Sequence, residues 1–366
     1  MGTHSFPTLT TRQAYIASHL HPHYTLLQAK SKNLCLGIPQ MTSYRHLFVI
    51  DPLEKLNMKL DSSLRMAFAL TKMKQSCYIT TPKQISRFHK VKHYPNGCVV
   101  QAQKILFENE VQSLRTEPAE VLDLKSFQSV HMRKDPPFDM DYLAATWLLD
   151  EAQGSSIVYN DPEALRRWNE KLIILRFPDY TNPAIFSADQ EQIYDFIAGE
   201  AKGDGILKPL DLFGGRGVIR LQLADLSREQ ALAAIAEQTN NGESFRLVQP
   251  FDSSIYEGEV RVFCAGTEAL AWCLKKPSQG EFLANTRMGA TLHPYQPSST
   301  EEAMVQSITA ELVKDGIFFT GFDLIGGKVS EINITSPRLL GGGLDEAPIY
   351  ERLARLIIED VERRLA

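Results

Sequence analysis

In the run Gly321-Phe322-Asp323-Leu324-Ile325-Gly326-Gly327-Lys328-Val329-Ser330-Glu331-Ile332-Asn333, two alternating segments flank a glycine pair. This is the pattern of two strands joined by a tight turn. Register decides its chemistry. A two-residue turn pairs Ile325 with Lys328 and sends Asp323 and Glu331 to opposite faces. A three-residue turn (Gly326, Gly327, Lys328) pairs Ile325 with Val329 and sets Asp323 across from Glu331. Period two then brings Asn333 to the same face, opposite Gly321. Phe322, Leu324, Ile332 and Ile334 collect on the other face, as a core face should. Two carboxylates and an amide oxygen make a hard, oxygen-rich set suited to Mg²⁺ held partly by nucleotide phosphates. The alternative is a solvated outer face on which the two carboxylates repel. The three-residue turn is the register the metal reading requires.

Upstream, Asp211-Leu212-Phe213-Gly214-Gly215-Arg216-Gly217 follows the apolar run Ile206-Leu207-Lys208-Pro209. Glycines at this density let backbone N–H groups approach phosphates closely. No Gly-Lys-Ser/Thr follows, so this is not a Walker loop. Lys171 and Lys208 stand at element edges, where a lysine can act as a mobile point charge for phosphate oxygens. Arg261 lies in the strand-like Glu257-Gly258-Glu259-Val260-Arg261-Val262, where an inward charge needs a partner such as a phosphate or carboxylate.

The remaining chain reads as alternating strands and helices, an open α/β organisation. Strand-like runs occur at Leu47–Ile50, Cys77–Thr80, Val99–Ala102 and Val260–Ala265. Asp61-Ser62-Ser63 supplies caps for a helix with Leu64, Phe68 and Leu70. The Pro136-Pro137 pair makes Met132–Asp139 a loop, and Tyr142, Ala145, Leu148 and Leu149 restore helical spacing. Further helices are expected at Arg228–Gln238 and Glu301–Lys314, and a last one with the stripe Ile349, Leu353, Ile357 and Leu365. An amphipathic helix is expected over Arg12–Lys30 as a packing or dimerisation arm. His19, His21 and His23 there lack the carboxylates or further ligands a metal site needs.

The chain has 366 residues, 43% hydrophobic and 23% charged, enough for two or three domains. A formal net charge of −5 argues against a nucleic-acid binder. No apolar run approaches the roughly 20 residues of a membrane span, and the N-terminus lacks the order of a secretory signal. Cys35, Cys77, Cys98, Cys264 and Cys273 are scattered without a C-x-x-C pair, which fits reduced thiols in a cytoplasm.

Taken in order, the motifs resemble those of the bacterial glutathione synthetases. They are Met132–Asp139, Asn169–Leu172, Leu207–Gly215, Asp323 with Glu331–Pro337, and Asp51-Pro52 with Asp61–Ser63. The likeness spans about residues 45 to 366. It implies an α/β ATP-grasp fold after an N-terminal extension (1–44): an N-terminal α/β domain (45–167), a central lid (168–248) and a C-terminal domain (249–366). It implies an ATP-dependent ligase that joins a carboxylate to an amine through an acyl-phosphate. By position, Lys171, Lys208, Gly214, Gly215, Val248, Gln249, Phe251 and Glu257 would meet ATP. Asp323, Glu331 and Asn333 would hold Mg²⁺ or Mn²⁺. Arg261, Lys276 and Arg338 would act on the reacting groups. Small-molecule substrates, a cytoplasmic homo-oligomer, and no nucleic-acid or membrane partner are expected.

The acceptor half departs from the family pattern. In the loop Lys275–His293, Lys276 takes the place of one family arginine, Leu283 that of another, and Arg287 is displaced. After Ser336-Pro337 the family continues Thr-x-x-Arg-Glu, whereas this chain has Arg338-Leu339-Leu340-Gly341-Gly342. These changes predict that γ-glutamylcysteine and glycine are a poor pair, and that Arg338 meets a carboxylate of another ligand.

Overall fold

The computed structural model describes residues 42–92, 96–212, 214–343 and 345–366. The helix expected over Arg12–Lys30 and the three histidines within it lie outside these.

Three sheets follow one another along the chain. The first holds β1 (Arg45–Val49), β2 (Ser76–Thr80), β3 (Ile85–Phe88), β4 (Gly97–Leu106), β5 (Arg115–Thr116), β6 (Glu120–Asp123), β7 (Ser129–Met132) and β8 (Ile157–Tyr159). Its path runs β3-β4-β2-β1-β7-β8, with β5 and β6 paired to β4. The β2-β1-β7-β8 stretch is parallel. Parallel neighbours need crossovers, and α1 (Ser62–Lys72) and α2 (Met140–Asp150) supply two of them, with α3 (Pro162–Arg167) after β8. Asp61 Oδ1 accepts from Leu64 N–H at 2.9 Å and Asp139 Oδ1 from Tyr142 N–H at 2.9 Å, so an aspartate caps each of the first two helices.

The second sheet, β11-β10-β12-β9, is antiparallel and holds β9 (Ile185–Ser187), β10 (Asp204–Pro209), β11 (Ile219–Gln222) and β12 (Arg246–Pro250). Helices α4 (Gln190–Ala198) and α5 (Arg228–Gln238) accompany it. Ile193, Ile197, Leu207, Ile235 and Val248 close a small core of their own. A lid boundary after Val248 therefore falls inside β12.

The third sheet runs β15-β14-β13-β16-β17. Its members are β13 (Glu259–Ala265), β14 (Glu268–Lys276), β15 (Thr291–Pro294), β16 (Phe319–Ile325) and β17 (Lys328–Asn333), accompanied by α6 (Ser299–Lys314) and α7 (Ala347–Leu365). Ser298 and Glu301 form a capping box on α6. On α7 the buried stripe is Tyr350, Leu353, Ala354, Ile357, Ile358 and Val361. Leu365, expected in that stripe, is exposed, because the terminal turn runs past the core.

Period-two alternation links the first and third sheets through two shared cores. Leu47 and Val49 of β1 share one core with Val260, Val262, Phe322, Leu324 and Ile332. Phe48 and Ile50 share the other with Phe263, Phe319, Leu353 and Ile357. Burial of this kind contributes about 25 cal/mol per Å² of apolar surface. Among the described residues no helix is long and apolar enough to cross a membrane.

The turn between β16 and β17 differs from the expected one. Ile325 pairs with Lys328, so the turn has two residues, Gly326 and Gly327, at φ 56° and 73°. These left-handed values suit the primed turns that fit strand twist. The register then shifts: Leu324 pairs with Val329 but Asp323 with Glu331. Ser330 is the extra residue of a β-bulge. The bulge restores what the turn alone would have lost, and Gly321 ends opposite Asn333.

Candidate functional site

A cavity of about 290 Å³ opens between the second and third sheets, reaching the 135–136 loop of the N-terminal part. Strand alternation selects its lining. On β10, Ile206 and Lys208 face the cavity while Leu207 enters the lid core. On β12, Gln249 faces it, whereas Val248 is fully buried in that core. Val248 therefore brings no side chain to the site.

Phe251 lies on the wall just beyond, with the Arg220 guanidinium 3.5 Å above its ring centre and the Phe282 ring 6.2 Å away. Gly214 and Gly215 line the opposite rim. A Cβ on Gly215 would come within 3.2 Å of Leu283, and φ there is +77°, so only glycine suits the position. The Asn285 amide donates to the Gly214 carbonyl, tying the 277–290 loop to the glycine loop.

The floor is charged. Asp323, Glu331 and Asn333 all line the cavity, together with Arg261, Lys171 and Lys208. Arg261 stands directly across from Asp323 on the neighbouring strand, Nε to Oδ1 3.1 Å. Its Nη1 is enclosed and lacks a hydrogen-bond partner, which an anion in the cavity would supply. Lys171 is buried, donates to the Leu212 carbonyl at 2.6 Å and lies 3.9 Å from Glu331. Lys208 donates to the carbonyl of the bulged Ser330 at 3.2 Å. Loss of solvent lowers its pKa from the ordinary lysine value, which marks a cation short of counter-charge.

Besides Val248, two more expected residues stand outside the cavity. Lys276 is exposed at the end of β14, while its neighbour Lys275 is buried and lines the site. Glu257 is exposed before Gly258, while Glu259, on the inward parity of β13, lines it. Lys275 is one residue from Lys276 and so on the opposite face of β14, whereas Glu257 precedes β13 altogether.

Lys275 Nζ pairs with Asp323 Oδ1 at 2.8 Å and also with Glu259. Burial alone would raise the Asp323 pKa, but Arg261 and Lys275 outweigh it and hold the carboxyl well below the usual range. Burial, aided by Asp323, pushes Glu259 up to about 7.

Glu170 was also missed. It is buried, and its Oε1 accepts from Ile334 N–H (2.9 Å), Thr335 N–H (2.9 Å) and the Thr335 hydroxyl (2.6 Å), which fixes the chain leaving β17. Asn169, from the same Asn-Glu-Lys-Leu run, binds the Leu210 carbonyl at 3.1 Å. Arg338 lines the cavity with Ser336, Pro337 and Leu340.

Among the described residues no three His, Cys, Asp or Glu side chains form a ready cage for a metal. Two carboxylates and an amide on one strand pair still suit a cation that takes its other ligands from phosphates.

The family model described as prokaryotic glutathione synthetase, N-terminal domain, matches residues 44–166. The one described as prokaryotic glutathione synthetase, ATP-grasp domain, matches residues 170–342. The glutathione synthetase of Vibrio parahaemolyticus is 32% identical over 330 residues, covering 87% of this chain and 97% of the relative. That of Bordetella pertussis is 34% identical over 302 residues, covering 80% and 91%.

Among solved structures, the D-cycloserine synthetase DcsG aligns with a TM-score of 0.60 at 14% identity, covering 86% of this chain and 99% of that one. The ATP-grasp ligase PsnB with its minimal precursor aligns with a TM-score of 0.54 at 17% identity, covering 87% and 99%. Those two show the fold. The sequence matches run through both halves of the chain that build the cavity, and with them the chain belongs to the prokaryotic glutathione synthetase family, as an ATP-dependent ligase of the ATP-grasp fold.

Proposed function

We propose that this ligase binds ATP between the lid (168–248) and the C-terminal part (249–366) and joins the carboxylate of an amino acid or short peptide to an amine. The observation that carries it is the convergence of Lys171, Lys208 and Arg261 with Asp323, Glu331 and Asn333 on one cavity floor. In this reading Gln249 and Phe251 flank the adenine, and Gly214 and Gly215 cover the phosphates. Asp323, Glu331 and Asn333 hold Mg²⁺, which when bound neutralises phosphate charge.

The donor carboxylate attacks the γ-phosphorus and ADP leaves. The amine then attacks the acyl carbon, loses a proton, and phosphate departs. Lys208 and Arg261 spread the charge that develops at the transferring phosphoryl group.

For the substrates, we propose a pair other than γ-glutamylcysteine and glycine. Arg338 brings a carboxylate-binding fork to the cavity wall, and Leu283 sits against the glycine loop. A second reading, glutathione formation, is favoured by the relatives at 32–34% identity. ADP release with γ-glutamylcysteine, with and without glycine, in wild type and Arg338→Ala, separates them. The proposal predicts little turnover with this pair. Efficient glycine-dependent release, with glutathione identified by mass, would overturn it in favour of the second reading.

A further inference from the structure

Every oxygen of the Asp323 carboxylate is already engaged. Oδ1 takes Lys275 Nζ at 2.8 Å and has Arg261 Nε at 3.1 Å, while Oδ2 accepts from Asn333 Nδ2 at 3.0 Å. Lys275 also bridges to Glu259, its direct partner across β13 and β14. One buried ammonium thus serves a buried and a half-buried carboxylate on the floor of the cavity.

A divalent cation that takes Oδ1 meets two cations already at contact with that oxygen. Like charges this close repel strongly where solvent is scarce, and a doubly charged ion repels about twice as strongly as a single one. One of the resident cations must withdraw. Arg261 is held by its register directly opposite Asp323. Lys275 ends on a flexible four-carbon stem, close to the end of its strand.

We propose that Lys275 is a resident counter-ion of the metal site: it holds Asp323 and Glu259 together in the metal-free enzyme and competes with the divalent cation for Asp323. Binding of metal then frees this ammonium inside the cavity, where the transferring phosphoryl group and donor carboxylate are placed above. The lysine thereby couples metal occupancy to the positive charge offered to the substrate. The inference rests on the assignment of Asp323 to the metal.

The test is Mn²⁺ binding, read by electron paramagnetic resonance of the free ion, to the full-length protein saturated with a non-hydrolysable ATP analogue. Lys275→Met should bind Mn²⁺ at least tenfold more tightly than wild type, and Asp323→Asn at least tenfold more weakly. Lys275→Met binding as wild type or more weakly, while Asp323→Asn binds weakly, would overturn the counter-ion role and leave the metal assignment standing. Wild-type affinity in Asp323→Asn would overturn the assignment and the role with it.

Lys275→Gln and the melting temperature provide a second route. Both neutral variants should gain more stability from Mn²⁺ than wild type does, because the metal replaces the lost ammonium. Variants that stay unfolded at saturating Mn²⁺ would contradict the proposal.

Discussion

Glu346 accepts the backbone N–H of Gly341 on its Oε1 at 2.7 Å. Its other oxygen pairs with Arg65 of α1, so the turn that carries Arg338 is tied to the first domain. Ser62 Oγ accepts from Leu339 N–H at 3.1 Å, and Arg133 donates to the Pro337 carbonyl at 2.9 Å. The glycine that replaces the family residue has a steric reason: a Cβ on Gly341 would lie 2.5 Å from Glu346 Cγ.

Glu346→Ala should therefore cost about 1–3 kcal/mol of stability, the range for leaving an enclosed hydrogen-bonding group unsatisfied. Gly341→Ala should destabilise as well, by pushing Glu346 aside. Urea midpoints measure both. A midpoint unchanged in Glu346→Ala would show that the bond contributes nothing.

Lys208→Ala should weaken ATP binding by about 2–4 kcal/mol, as for removal of a desolvated charge contact. The motivation is a desolvated ammonium that donates to the Ser330 carbonyl. Calorimetry reads this directly, and ATP affinity equal to wild type would reject the nucleotide assignment.

A structure with nucleotide and Mg²⁺ should show ligand oxygens of Asp323, Glu331 and Asn333 at about 2.1 Å from metal. Asn333 now turns its Nδ2 towards Asp323 and the Gly321 carbonyl. Its Oδ1 should face the ion in the complex. Magnesium bound without Asp323 or Glu331 would contradict the site.

Much of this site was legible because it rests on alternation. Asp323, Glu331 and Asn333 share a face, and Ile206–Pro209 with its glycine loop stands where the spacing put it. What failed was parity at strand ends. Lys275 and Lys276 are equally basic neighbours, and only the pairing of Glu259 with Lys275 decides which one turns inward. The same holds for Val248 beside Gln249, whereas Glu257 stays outside because it lies in the turn before β13 begins. The bulge at Ser330 was invisible for a related reason. Turn composition allowed both loop lengths, and a one-residue slip can be corrected anywhere along the hairpin. The short aspartate and serine caps, by contrast, are local signals and marked helix starts well.

Stability should fall in mild acid through a buried histidine pair in the first sheet. His46 Nδ1 and His131 Nε2 share the Ser129 hydroxyl at 2.7 and 2.8 Å, and His131 stacks on Phe48. Burial lowers His46 to about 4 from its ordinary 6.5, and takes His131 well below that value. The unfolded chain thus binds more protons between these pH values, so stability is full above 6.5 and is lost as pH falls towards 4. His46 alone should account for up to about 3 kcal/mol. Urea midpoints across that range should drop in wild type and drop less in His46→Asn. Parallel curves for the two would remove His46 from the explanation.

ADP release across a panel of amino acids and dipeptides shows whether this cavity couples ATP cleavage to carboxylate–amine ligation. ADP should form only with a particular carboxylate and amine, the product mass should equal their sum less one water, and Asp323→Asn should abolish turnover. ATP bound at the cavity with no ADP released for any pair, and no new product mass, would contradict it.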